Sequence, residues 1–242
     1  MTKLLERLTN VRRDEKGALL WALVYGFCIF LAYYILRPVR DEISSADRGN
    51  LQILWTAVFI VMLIAVPAYS WVVARWPRAK FVPWVNRFFI ACLVGFYIAL
   101  VSLPLGARPW IDRVFYVWAS VFALFVVTVF WGFMADLFTS EQGKRLFGPI
   151  AVGGSLGSII GSMVTAGLVD VLPAFSLLLV ACVPLEVAAQ AARRLQRHSD
   201  RAGSTLRREN APVSGSVWSG IKVVFSSPYL ARIALFIFLM TF

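Results

Sequence analysis

The chain alternates between long apolar runs and short polar segments, and this alternation predicts its helices. The apolar runs predict six membrane helices, at 17–36, 51–73, 88–103, 114–134, 149–168 and 175–192, and a seventh that opens at 229 and is still apolar at 242. A run of about 18 or more apolar residues with few charges is typical of a transmembrane helix. Pro67 lies inside the second run and predicts a kink there. The pattern therefore predicts an all-α polytopic membrane protein.

The polar segments divide the chain into four regions. Residues 1–16 are predicted to be a cytoplasmic tail, 17–192 a six-helix bundle, 193–216 a basic cytoplasmic linker, and 217–242 an amphipathic lead-in followed by the seventh run. That seventh run offers 14 residues, whereas a full span needs about 20. We therefore expect the chain to be a fragment or a truncated gene product, whose missing partner is the C-terminal half of the same protein.

The composition fits this class and limits the function. Of the residues, 60% are hydrophobic, and the formal net charge is +11. Seventeen Lys and Arg residues fall on the side of the N-terminus and five on the other side. Basic residues are enriched in cytoplasmic loops, so the N-terminus is predicted to be cytoplasmic. Because the positive charge follows the topology and no aromatic-basic platform accompanies it, we expect no nucleic-acid partner.

The chain offers little material for catalysis. Its single histidine, His198, lies in a basic segment, and its three cysteines lie inside apolar runs. We therefore expect no metal and no cofactor. An enzyme would also need paired carboxylates or a nucleophile with a base, whereas Asp136, Asp170 and Glu186 lie towards predicted helix ends and far apart in sequence. We expect that the protein is not an enzyme.

The first apolar run closes on a charged segment. At helical spacing Tyr33, Arg37 and Arg40 share a face, and Asp41 follows Arg37 by four positions. Pro38 is expected to break or bend the helix there. One interpretation is an interfacial belt, with tyrosines at headgroup level and snorkelling arginines; the other is a cationic site at the mouth or wall of a polar pathway. The second makes five residues candidates for substrate binding: Tyr33, Tyr34, Arg37, Arg40 and Asp41.

Small residues repeat along the fifth run. Gly153, Gly157 and Gly161 recur every four positions. This spacing lets two membrane helices approach closely. We expect the glycines to pack against another helix, a surface that a transporter can also use as a sliding contact.

Basic residues cluster between predicted helices. Arg75 and Arg78 keep the spacing of the major facilitator superfamily loop Gly-x-x-x-Asp-Arg-x-Gly-Arg-[Arg/Lys], although its Gly and Asp are absent here. Asp136 is expected to pair with Lys144 or Arg145 in the link between the fourth and fifth helices. All five residues are candidates for a cytoplasmic gate or loop. Six helices, a basic linker and a second apolar block also resemble that superfamily.

Three ordered segments resemble the bacterial and plastid ATP/ADP translocase family. Residues 34–41 are similar to its helix-1 pattern Leu-Arg-x-x-[Lys/Arg]-Asp; 130–133 with 141–147, and 219–230, are similar to two later segments. The resemblance covers most of this chain but about half of a full member. It implies a major-facilitator-like fold, a location in the bacterial inner membrane, and antiport of ATP and ADP. It also implies that Arg37 and Arg40 are the helix-1 cations, with Arg40 the residue expected to face the substrate.

One position departs from that family. Nucleotide-exchanging members carry an acidic residue about twelve positions before the Trp that corresponds to Trp131, and Ala119 stands there. The sequence therefore favours a secondary transporter of an anionic solute, with nucleotide exchange first. A major-facilitator-type transporter of another solute and a membrane partner or sensor that does not transport remain as alternatives. The sequence contains no Gly-rich phosphate-binding loop that ends in Lys, so nothing in it indicates ATP hydrolysis.

Overall fold

The computed structural model describes residues 15–75, 78–201 and 226–241, and the regular elements in them are all helical. The predicted all-α class is confirmed. The α-helices in these ranges are α1 (Lys16–Ala46), α2 (Leu51–Arg75), α3 (Arg78–Ser102), α4 (Arg108–Leu137), α5 (Ser140–Leu168), α6 (Leu177–Arg201) and α7 (Pro228–Thr241). Most of the predicted tail and linker, and the predicted amphipathic lead-in up to 225, lie outside the described residues.

Five of these helices are long and apolar enough to cross a bilayer. The candidate spans are Lys16–Ala46, Arg48–Val72, Phe81–Ser102, Arg108–Leu137 and Ser140–Leu168. The chain is therefore a multi-pass membrane protein. Helix α6 is not among the five: Glu186 interrupts its apolar half, and arginines follow from Arg193. The sixth predicted span stays a prediction.

Several helices extend beyond their predicted ends. Helix α1 continues through Pro38 to Ala46 instead of ending at 36, so the expected break at this proline is wrong. Helix α3 begins at Arg78 instead of 88, and α5 begins at Ser140 instead of 149. Helix α6 continues to Arg201, so the first part of the predicted linker is helical. Hydropathy ends where charge begins, whereas Arg, Lys, Glu and Gln are good helix formers and continue the backbone.

Helix α1 lies at the centre of the bundle. It packs extensively against α4, α5 and α6, while α2 and α3 pack against α4, and α3 also packs against α6. Tyr25 on α1 is fully buried, with ring centroids 5.3 Å from Phe130 and 5.9 Å from Phe133 on α4. Aromatic pairs at this separation add to the stability gained by burial. By contrast, α2 contributes little to the core: among its described side chains only Leu54 is fully buried.

These contacts have an internal symmetry. Exchanging α1, α2 and α3 with α4, α5 and α6, in that order, relates four of the six main contacts between these helices in two pairs and leaves the contacts of α1 with α4 and of α3 with α6 unchanged, although the paired contacts differ widely in extent. The contact of α1 with α5 becomes that of α4 with α2, and the contact of α1 with α6 becomes that of α4 with α3. Short connections join these helices in sequence, and helices joined in this way usually lie antiparallel, which would invert the second triplet relative to the first.

The tightest contact joins α1 and α5. Gly153, Gly157 and Gly161 are buried, and a Cβ at Gly157 would overlap the backbone carbonyl oxygen of Phe27. A Cβ at Gly161 would lie 2.7 Å from the carbonyl oxygen of Leu31. Because both neighbours are helix backbone, only glycine permits this approach, and α5 is held close along α1 up to its charged end.

Candidate functional site

The charged segment of α1 lies at one end of the bundle, which we call the distal end; it is formed by the last turns of α1, α3 and α5 and the first turns of α2, α4 and α6. Arg37 follows Lys16 by 21 positions, which is about 32 Å along a helix. The hydrocarbon core of a bilayer is about 30 Å thick. A bilayer whose proximal boundary lies at Lys16 would therefore have its distal boundary near the guanidinium groups of this segment, on a helix that continues to Ala46.

A polar groove opens between this segment and α5. It has a volume of about 620 Å³ and is lined by Tyr34, Arg37, Pro38, Asp41, Glu42, Ser45 and Ser162. The guanidinium carbon of Arg37 lies 5.6 Å from the centre of the Tyr34 ring, so the aromatic face helps to orient it. The side chain of Arg37 is 47% exposed. The groove therefore offers a cation, two carboxylates and hydroxyl groups to a solute.

Arg40 lies on the other side of α1, towards α4. Its guanidinium carbon is 5.8 Å from the centre of the Tyr116 ring, and its side chain is 25% exposed. Its Nη2 donates to Oδ1 of Asp41 at 2.8 Å, while Arg37 Nε lies 3.7 Å from Oδ2 of the same carboxylate. Asp41 therefore links the two arginines, although only Arg37 lines the groove.

A second cavity, of about 330 Å³, lies between the distal ends of α1, α4 and α6. Its charged lining residues are Glu42, Asp47, Arg108, Asp112 and Arg113. Arg113 Nε donates to Oδ2 of Asp47 at 2.8 Å. This hydrogen bond, followed by one from Asn50, lowers the pKa of Asp47. The cavity contains both signs of charge, and Glu42 borders it as well as the groove.

A third cavity, larger than the first two, has different chemistry. It measures about 1220 Å³ between α2, α3 and α4, and apart from Arg113 its walls are apolar or aromatic. Trp71 and Trp84 line its proximal part and Trp110 its distal part. An apolar wall of this kind suits an acyl chain or a helix, whereas a multiply charged solute would lose its hydration there without compensation.

The opposite, proximal end of the bundle carries a buried salt bridge. Glu15, before α1, is only 2% exposed. Arg145 on α5 donates to its two carboxylate oxygens at 2.8 and 3.2 Å, and Gln142 Nε2 donates at 3.2 Å. Thr139 and Gln142 form a capping box that starts α5 there. The salt bridge between Glu15 and Arg145 therefore joins α1 and α5 at the proximal end of their contact.

The structure separates the predicted gate residues. Arg75 ends α2, with its guanidinium carbon 3.8 Å from the centre of the Trp71 ring, and Arg78 begins α3. Lys144 and Arg145 lie on the first turns of α5 rather than in a loop, which corrects the predicted link. The pairing predicted for Asp136 stays a prediction.

Other predicted residues lie apart from the groove. Tyr33 is half-buried and packs edge-on against Tyr34, with ring centroids 5.2 Å apart. Ala119, at the position of the missing acid, is 4% exposed inside the core. Neither residue lines the groove.

Sequence reasoning missed Ser162 and Tyr116, which meet the charged segment from α5 and α4. Ser162 lies among the small residues of the glycine-rich helix, where nothing distinguishes it from Ser155 or Ser158. The signal that could have located it is the glycine repeat, since the face that approaches α1 also carries the neighbouring hydroxyl to the groove.

The described residues contain no group of three or more His, Cys, Asp or Glu side chains placed to hold a metal ion. Searches against family models, curated proteins and solved structures found no match for this chain.

Proposed function

We propose that the protein is a secondary transporter that exchanges anionic solutes, nucleotides first, by alternating access. The observation that carries the proposal is the exchange symmetry of the two helix triplets. Inverted repeats of this kind are characteristic of secondary transporters, in which repeat units rock around a substrate site.

The charged segment supports an anionic cargo. Arginine forks match the oxygen pairs of phosphate and carboxylate, and Arg37 and Arg40 both lie on the central helix. In the segment from Arg37 to Glu42 the charges of two arginines are balanced by those of two carboxylates. A bound anion would therefore give the segment a net negative charge unless Asp41 moves away. A protein that must both load and release its cargo benefits from such a moderate field.

The test is counterflow with the complete gene product in liposomes. Vesicles preloaded with unlabelled ADP are compared with empty vesicles for entry of labelled ATP. We expect uptake that depends on internal nucleotide. Arg37→Gln and Arg40→Gln should each reduce it at least tenfold, whereas Arg48→Gln, in the exposed distal turn before α2, should leave it unchanged.

Two results would count against the proposal. Absence of uptake by a folded and correctly inserted protein removes nucleotide as the cargo, and repeating the assay with other phosphate esters and dicarboxylates then tests anion exchange as a whole. Equal losses of ATP uptake in the Arg40 and Arg48 variants would instead indicate that the charged segment serves as an interfacial belt.

A further inference from the structure

Asp41 holds a position between two guanidinium groups that resembles that of a bound anion. Its Oδ1 accepts from Arg40 Nη2 at 2.8 Å and from Arg40 Nε at 3.2 Å. Its Oδ2 lies 3.7 Å from Arg37 Nε. One carboxylate therefore presents one oxygen to each arginine, as a phosphate bridging the same two side chains would.

The arrangement is accessible from the groove. The side chains of Asp41 and Arg37 are 50% and 47% exposed, and both line the groove. Exposed ion pairs contribute little to stability because water competes for them. The contact can therefore open without disturbing the buried faces of α1.

We propose that Asp41 is a resident counter-anion, which occupies the guanidinium groups until a multivalent oxyanion displaces it. This inference rests on the proposed transport function and deepens it, since it names the class of cargo and the residue that selects it. An anion that enters the groove meets Arg37 directly and reaches Arg40 only by taking the place of Asp41.

Displacement of this kind selects by charge and by shape. Chloride has a single centre and cannot offer separate oxygens to two guanidinium groups. A diphosphate offers several oxygens and more than one charge, and so outcompetes a single carboxylate. Ser162 lies across the groove on α5 and supplies a hydroxyl group to the same space. Simple monovalent anions are thus excluded while Asp41 is charged.

The experiment compares Asp41→Asn with Glu42→Gln. Glu42 lines the same groove and, within the described residues, forms no salt bridge with an arginine. Glu42→Gln is therefore a control variant that also removes one negative charge. Pyrophosphate and chloride are titrated onto the purified protein in nanodiscs at fixed ionic strength, and binding is measured by calorimetry. Size-exclusion profiles verify that both variants fold.

Removal of a unit charge at about 4 Å in water corresponds to about 1 kcal/mol, or about fivefold in affinity. We expect Asp41→Asn to bind pyrophosphate at least fivefold more tightly and to acquire chloride binding. Glu42→Gln removes a carboxylate that pairs with neither Arg37 nor Arg40, so it should change pyrophosphate affinity less than Asp41→Asn does. Equal changes in the two variants, or no pyrophosphate binding by Asp41→Asn, would overturn the inference.

Counterflow on the same proteins separates this inference from the proposed function. Tighter binding by Asp41→Asn without exchange by the wild-type protein supports the resident counter-anion and contradicts transport. Exchange by the wild-type protein with equal pyrophosphate affinity in Asp41→Asn supports transport and contradicts the role of Asp41.

Discussion

The close contact between α1 and α5 makes a specific prediction for Gly157→Ala. A methyl group there would overlap the carbonyl oxygen of Phe27 and lie 2.9 and 3.0 Å from its carbonyl carbon and Cα. These are backbone atoms of a helix and cannot rotate aside, so α5 must separate from α1. Overpacking of this kind costs about 1–3 kcal/mol, offset by about 0.5–1 kcal/mol of helix propensity gained by replacing Gly with Ala.

We therefore expect Gly157→Ala to lower the free energy of unfolding by about 1–2 kcal/mol. Gly167, on the same helix, is exposed, and a methyl group there would meet no side chain and no neighbouring helix within 4 Å. Gly167→Ala should therefore leave stability unchanged or raise it. At Gly153 the nearest atom is Cδ2 of Leu23, at 2.8 Å, which is the end of a flexible side chain. Gly153→Ala should have an intermediate effect.

The assay is unfolding of the purified protein by SDS titration in mixed micelles, followed by tryptophan fluorescence. The expected order of stability is Gly167→Ala, then Gly153→Ala, then Gly157→Ala. Equal stability of the Gly157 and Gly167 variants would show that the helices can separate without cost, and would refute the view that glycine holds α5 against α1.

Three further predictions concern charged residues. Glu15→Gln removes the charge from the buried salt bridge with Arg145 and should lower the unfolding free energy by about 2 kcal/mol in the same SDS titration; an unchanged midpoint would contradict this. Arg87 Nη2 lies 3.0 Å from Glu186 Oε1 between α3 and α6, and a double-mutant cycle with alanine should give a small favourable coupling energy, whereas zero coupling would refute the pair. The pKa of the Asp47 carboxyl is lowered in the folded state. The charged carboxylate therefore stabilises the fold above its unfolded-state pKa of about 3.9, and this stabilisation is lost as pH falls through the folded-state pKa. Asp47→Asn should reduce the difference in unfolding free energy between pH 7 and pH 3, and an unaltered difference would contradict this.

In the part of the chain that the structure describes, hydropathy predicted the order of the seven helices, five of which are long and apolar enough to cross a bilayer, because a segment in lipid must satisfy its backbone hydrogen bonds within a helix. It could not predict where the helices end. Pro38 suggested a break in α1, yet the helix continues past it for two turns. A proline removes one backbone hydrogen bond, and the surrounding packing of α1 holds the helix in spite of it.

The site was predictable only as a set of residue types. Their spacing predicts one shared face for Arg37 and Arg40, whereas the structure places Arg37 in the groove beside α5 and Arg40 towards α4. That placement depends on the rotation of α1, which the glycines of α5 fix by their contact with Phe27 and Leu31. Long-range partners such as Glu15 and Arg145, 130 positions apart, have no local signal in sequence.

The two helix triplets have corresponding contacts but unequal packing, and this inequality bears on the proposed mechanism. Helix α5 is fixed to α1 by buried glycines and by the Glu15–Arg145 salt bridge, whereas its counterpart α2 meets α4 beside a large apolar cavity. A rocking motion needs a rigid body and a contact that yields. Helices α1 and α5 together form such a body, and they carry both walls of the polar groove. Under the proposed transport function, the groove should therefore keep its shape while α2 moves against α4, so that the residues proposed to bind the anion stay together.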